Sequence, residues 1–321
     1  MQLPPSSRSV RSQRRCAARA TQGRRAAAVW LLVAMILVAC AGCATFGRRG
    51  PAAERAAACR EFSRQGIAAM EAGQWQRAEM LLQQAIEASP EDAEARRQMA
   101  EVLWKRGATL EAMSQIAAAH RARPNDAHLA ARAGEMALAL DDREAALAHA
   151  EQAIRLDPQL ATAWALRGRV FWQLQQPDRA LADLGRALEF APGSSDVLLD
   201  LAAMYRERGQ PARCLTTLHH LHDTYPPGDE PQAVLVLEGL TLLDLNRPHQ
   251  ACDALLAAAQ RERPTAQVLY YLAHARYAAG RYTQATAAAQ QALALDASHQ
   301  PSRQLLAQLA AHATPDEPQR R

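Results

Sequence analysis

From residue 59 to residue 299 the chain repeats one pattern of small and apolar positions every 34 residues, punctuated by prolines 90, 124, 158, 192 and 226. Repeats begin at residues 59, 93, 127, 161, 195, 232 and 266, with a three-residue insertion, Asp229 to Pro231, before the sixth. The eighth place is always small: Gly66, Ala100, Gly134, Gly168, Ala202, Gly239 and Ala273. The twentieth place is Ala78, Ala112, Ala146, Ala180, Cys214, Ala251 and Ala285. The twenty-seventh is alanine except for Leu221 in the fifth repeat. Two antiparallel helices approach closely only where a side chain is small, so each unit is predicted to be a helix pair. The proline ends the second helix, because it lacks an N–H and restricts the residue before it.

After the last unit, Pro301 to Ala313 reads as one amphipathic helix with Leu305, Leu306 and Leu309 on a face. A stacked array needs such a cover for its last core surface. Residues 314–321 are polar and contain proline, the composition of a disordered tail. The run Tyr225-Pro226-Pro227-Gly228-Asp229-Glu230-Pro231 predicts a loop or bend, one expected to divide the array into five units and two.

Ahead of the repeats lies a different pattern. Ala26 to Ala39 is an uncharged run behind seven arginines, the layout of an export signal. It ends in Leu37-Val38-Ala39-Cys40, which resembles the lipobox of bacterial lipoproteins. The resemblance implies a signal peptide over 1–39, a diacylglyceryl group on the Cys40 sulfur and a tether over 40–58. Cys43 is the alternative lipid site. The uncharged stretch continues to Phe46, long enough to span a bilayer as an uncleaved anchor over 26–46. Each reading leaves the arginines inside and the body of the chain outside, on the periplasmic face of a membrane. If the cell is Gram-negative, Ala41 implies the outer membrane.

The leader also explains the charge. Removing its seven arginines from the net charge of +4 leaves −3 from Cys40 onward, so the body carries no electrostatic footprint for nucleic acid. Abundant Ala, Leu, Gln, Arg and Glu with 5% aromatic residues favours an all-α chain. Cys59, Cys214 and Cys252 lack metal-type spacing and read as small buried hydrophobes.

The 34-residue period, the small places and the terminal proline resemble the tetratricopeptide repeat, or TPR. Phe62 and Trp164 match its early aromatic, and Trp75 and Tyr282 the aromatic that opens its second helix. Ala297 in place of the last proline and Pro264, one place late, depart from it. The resemblance implies a right-handed α-solenoid of about seven helix-turn-helix units (59–92, 93–126, 127–160, 161–194, 195–228, 232–265 and 266–299) with a capping helix over 300–313. It also implies a concave groove, lined by the first helix of each unit, that holds a peptide or helix of another protein. Transferred to this chain, that face carries Arg97, Trp104, Lys105, Arg132, Arg169 and Trp172 in repeats two to four, beside Glu101 and Glu135, and Tyr270, His274 and Tyr277 near the end. Aromatic anchors flanked by arginines suit an extended, acidic partner segment. The competing expectation is that these groups pack or pair within the chain, as Arg97 and Glu101 could at i, i+4. Chaperone C-termini are not implied, because the lysines and asparagines of the carboxylate clamp are missing.

His219, His220 and His222, with Asp223, are an alternative site for zinc or copper. No catalytic or nucleotide-binding motif occurs, so no enzyme activity and no cofactor is expected. The expected function is a membrane-tethered scaffold for other envelope proteins. At the level of architecture it resembles TPR lipoproteins that assist pilus or secretin assembly or that scaffold cell-wall hydrolases.

Overall fold

A computed structural model describes residues 50–313. Cys40, Cys43, the 26–46 segment and the 314–321 tail lie outside the described residues. Within them are fifteen α-helices and no strand. The first helices of successive pairs are α1 (Pro51–Glu71), α3 (Ala93–Lys105), α5 (Ala127–Ala139), α7 (Ala161–Gln173), α9 (Ser195–Glu207), α11 (Gln232–Asp244) and α13 (Ala266–Ala278). Their partners are α2 (Trp75–Ala88), α4 (Thr109–Ala122), α6 (Arg143–Leu156), α8 (Pro177–Phe190), α10 (Pro211–His222), α12 (Pro248–Arg261) and α14 (Tyr282–Leu295). The cap is α15 (Gln300–Ala313). The all-α helical-repeat fold is therefore the one anticipated. One element differs from expectation: α1 starts at Pro51, so the second half of the anticipated tether is helix continuous with repeat one.

The described residues form two compact units, divided between Arg106 and Gly107. In the first, α1, α2 and α3 pack mutually around Cys59, Ala78, Leu82, Ala85, Met99 and Val102. In the second, helices α4 to α15 stack in sequence.

The recurring small place has a local cause. Within each unit, place eight of a first helix meets place twenty-four of its partner, occupied by Leu82 in the first unit and by Ala150, Leu184, Leu218, Leu255 and Ala289 in the second. All of these are buried. A Cβ on Gly66 would lie 2.8 Å from Leu82 Cγ, and one on Gly239 would lie 2.4 Å from Leu255 Cγ. Where place twenty-four shrinks to Ala150, Leu166 of the next repeat fills the gap, 2.6 Å from a Cβ on Gly134.

A second regularity appears in the turns. Place fifteen of every repeat has positive φ: Gly73, Gly107, Asp141, Gln175, Gly209, Asn246 and Gly280. A left-handed residue there closes the first helix, and the next N–H reaches back five residues, as from Gln74 to Ala69 O and from Gln176 to Phe171 O.

The 225–231 junction does not divide the array. Leu218 and Leu221 of α10 share a core with Val234 of α11. Cys214 Sγ meets Thr241 Oγ1 at 3.1 Å, and Gln232 donates to Ala258 O at 2.9 Å. The loop itself is fastened: Glu230 accepts from Gly228 N–H at 3.1 Å and Arg261 at 2.9 Å. Its own and the Gly228 backbone amides hold the Glu230 carboxyl below its usual range. Apolar surface that would otherwise be exposed on both sides outweighs the local breaking tendency of three prolines.

Candidate partner-binding surface

Within the second unit, α5 touches α7, α7 touches α9, α9 touches α11, α11 touches α13 and α13 touches α15. First helices thus form a continuous inner row, and α1 and α3 touch in the same way within the first unit. In the second unit a first helix is buried on the side facing its partner, and places nine, twelve and thirteen carry Arg169, Trp172, Arg206, Glu207, Asp244, His274 and Tyr277 alongside apolar residues such as Leu138, Ala203, Leu240 and Leu243.

The row is laced by polar bonds that cross from one repeat to the next. Arg169 Nε on α7 donates to Asp200 Oδ2 on α9 at 2.5 Å. Trp172 Nε1 on α7 donates to Glu207 Oε2 on α9 at 2.9 Å. Arg206 Nε on α9 donates to Asp244 Oδ2 on α11 at 2.7 Å. Two of these follow one rule, a donor at place twelve and a carboxylate at place thirteen of the next repeat. Trp172 and Glu207 are separated by 35 residues, and Arg206 and Asp244 by 38, the difference being the three-residue insertion.

Other anticipated groove residues pair locally. Arg97 forks onto Glu94, with contacts of 2.6 and 3.0 Å, and Arg132 reaches Glu135 at 2.8 Å. Trp104 is half-buried on α3, and Lys105 is exposed at its end. Arg97, Trp104 and Lys105 belong to the first unit and Arg132, Arg169 and Trp172 to the second. Arg169 and Trp172 are brought together, one turn apart on α7 and facing carboxylates of α9.

At the C-terminal end, Tyr270 sits 5.6 Å from the His299 ring and 6.2 Å from His274. Tyr277 lies 5.8 Å from Tyr282. Tyr270 and Tyr277 pack on the Ala273, Leu305 and Leu309 core, so much of their surface serves the seal beneath α15, while His274 remains exposed.

The alternative metal site is not assembled. Among the described residues no group of three His, Cys, Asp or Glu converges to hold an ion. Successive helical residues are rotated by about 100°, which separates His220 from His219 and His222. His222 is itself engaged, with Nε2 3.1 Å from Glu238 and Nδ1 4.0 Å from Glu230. The three described cysteines are free and buried, and burial pushes each thiol pKa up. No described helix is long and apolar enough to cross a membrane.

Sequence reasoning missed Asp200, Glu207, Arg206 and Asp244. For Glu207 and Asp244 the signal lies in the repeat register, as acceptors one repeat plus one residue beyond a donor, whereas Asp200 follows Arg169 by 31 residues. It also missed the outer side of repeat four, where Arg167 is clamped by Asp183 at 2.7 and 2.9 Å and stacks 4.8 Å from Trp164. Arg179 stacks 3.8 Å from Phe171 on the same side. The Asp183 bond, opposed in part by burial, raises the Arg167 pKa.

Family models described as tetratricopeptide repeat match residues 69–134, and residues 132–212 and 236–299. Among solved structures, a tetratricopeptide repeat protein from Parabacteroides merdae ATCC 43184 is similar over 79% of this chain and 99% of its own, at 16% identity and TM-score 0.57. YrrB, described as a TPR protein with an unusual peptide-binding site, is similar over 60% of this chain and 97% of its own, at 18% identity and TM-score 0.50. The APC/C hetero-tetramer Cut9-Hcn1 is similar over 74% of this chain and 46% of the matched chain, at 16% identity and TM-score 0.58. At these identities the likeness is one of fold.

Proposed function

Because the chain belongs to the tetratricopeptide repeat family, a fold that serves protein–protein interaction, we propose that it is a non-enzymatic scaffold holding segments of other envelope proteins against its inner row of first helices. The observation that carries this reading is the row itself. Successive first helices align Trp172, Arg169, Asp200, Glu207, Arg206 and Asp244 as one polar and aromatic strip. Because its arginines are already matched by carboxylates, the strip suits a segment that presents both donors and acceptors rather than a uniformly acidic one. The peptide-binding site named for YrrB is consistent with such use of a TPR surface.

The scaffold is tethered through a lipid on Cys40, or on Cys43, and faces the periplasm. Its clients belong to an assembly such as a pilus, a secretion channel or a cell-wall complex. Support for the tether comes from Leu37-Val38-Ala39-Cys40 and the arginine-rich leader.

Capture of partners from envelope extracts, with the intact protein and with Trp104→Ala and Trp172→Ala, tests the surface. The variants should lose partners that the intact protein retains, and identical partner sets would refute it. Cys40→Ala should release the protein from membranes or leave a larger precursor. Unchanged size and fractionation would favour the anchor over 26–46.

A further inference from the structure

The edge of repeat one carries a feature outside the inner row. Between the Gly73-Gln74 turn and the end of α3 lies a cavity of about 520 Å³ lined by Trp75, Gln76, Arg77, Lys105 and Arg106, with no carboxylate in its lining. All of these residues belong to the first unit.

The charge here is unusual for this chain. Lys105 is the only lysine, and among the described residues it makes no ion pair. Among the described residues Arg77 meets only the Gln74 amide oxygen, at 3.3 Å. Arg106 is paired with Glu79, outside the lining. The equivalent edge between repeats four and five is neutralised. There Arg208, at the place of Arg106, is bonded at 2.7 Å by Asp178, at the place where repeat one has Gln76. In repeat one Glu79 engages Arg106 alone, and the lining offers no carboxylate to Arg77 or Lys105. The first turn of α2, which opens at Trp75, adds the positive end of its dipole to the same cavity. Trp75, half-buried in the wall, supplies an apolar plane beside the cations.

Resting on the reading that this chain holds peptide segments, we infer that the cavity is a second anchor point that takes an acidic peptide segment. Side-chain carboxylates of the segment meet Arg77 and Lys105, and an apolar residue lies on Trp75. Carboxylates suit both the bidentate fork of an arginine and the point charge of a lysine. The inner row, with its arginines matched, leaves the acidic part of a client to this edge.

The test is fluorescence anisotropy of the full chain with a labelled Glu-Glu-Leu-Glu-Glu peptide and its Gln-Gln-Leu-Gln-Gln counterpart. The glutamine peptide should bind at least about tenfold more weakly, and Lys105→Glu or Arg77→Glu should each weaken the glutamate peptide by about tenfold. Lys105→Gln provides a milder variant should charge reversal disturb folding. Arg155→Glu, exposed on α6, should leave binding unchanged. Equal binding of the two peptides, undiminished binding by Lys105→Glu and Lys105→Gln, or displacement by inorganic phosphate at the peptide's concentration would overturn the assignment. In captures from extracts, clients lost with Trp172→Ala but kept with Lys105→Glu and Lys105→Gln would remove this site and leave the scaffold reading standing.

Discussion

Adding one methyl group at Gly239 separates close packing from helix propensity as the reason for the small eighth place. In Gly239→Ala the new Cβ would lie 2.4, 2.9 and 3.0 Å from Leu255 Cγ, Cδ2 and Cδ1. Leu255 is fully buried in a core with Leu215, Leu242 and Leu272. Its branch point cannot retreat without moving α12, an overpacking cost of about 1–3 kcal/mol. Against this, alanine is favoured over glycine within a helix by about 1 kcal/mol. Gly239→Ala should therefore be net destabilised by about 1 kcal/mol. Gly168→Ala is the internal control, since its Cβ would sit 3.1 Å from Leu184 Cγ and 3.2 Å from Ala180 O. Shifts of a few tenths of an ångström relieve those contacts, and the two terms should cancel to within about 0.5 kcal/mol. Urea unfolding followed by helical circular dichroism at 25 °C measures both. Leu255→Ala alone should be destabilised by about 2–5 kcal/mol, and the double variant by less than the sum of the single changes. A Gly239→Ala protein at least as stable as its parent, or one indistinguishable from Gly168→Ala, would refute the packing account.

Burial, and secondly the neighbouring His120, depress the His149 pKa below its ordinary 6.5. The rings of the pair lie 6.0 Å apart, and His120 Nδ1 is buried without a partner among the described residues. The unfolded chain binds a proton at His149 more readily, so stability should be complete above about pH 6.5 and fall as pH drops toward the folded-state value. Urea midpoints across that range should be flatter for His149→Gln, and an unchanged slope would contradict this. Gln175 holds φ of 60° at a place filled by glycine in four other repeats, so Gln175→Gly should raise stability by up to about 1 kcal/mol in the same assay. A loss would show that the Gln175 side chain repays its strain.

Much of the fold was legible because a solenoid writes its packing rules seven times. A single Gly66 says little, but small residues recurring at place eight reveal a helix contact, and the 34-residue prolines give the frame. The left-handed place fifteen was less visible, since Asp141 and Gln175 stand among its glycines. The loop at 225–231 was legible, but the expected division of the array there was not borne out, because proline and glycine report local backbone preference. Whether Leu218 and Leu221 meet Val234 depends on apolar area that only the assembled pairs bring together. The inner row was legible by position but not by partner. A sequence places Arg169 and Trp172 on one face, whereas their pairing with Asp200 and Glu207 depends on the offset between neighbouring helices. For the histidine cluster, adjacency along the chain did not become convergence in space.

The 38-residue step from Arg206 to Asp244, where the rule elsewhere is 35, has a practical meaning. The array keeps count in helical places rather than in residues, and surplus chain is parked at the rim before α11 without shifting any rung of the inner row. That rim is a natural port. A tag, a cleavage sequence or a small guest domain inserted between Gly228 and Asp229 would ride on the scaffold while both flanking stacks keep their register.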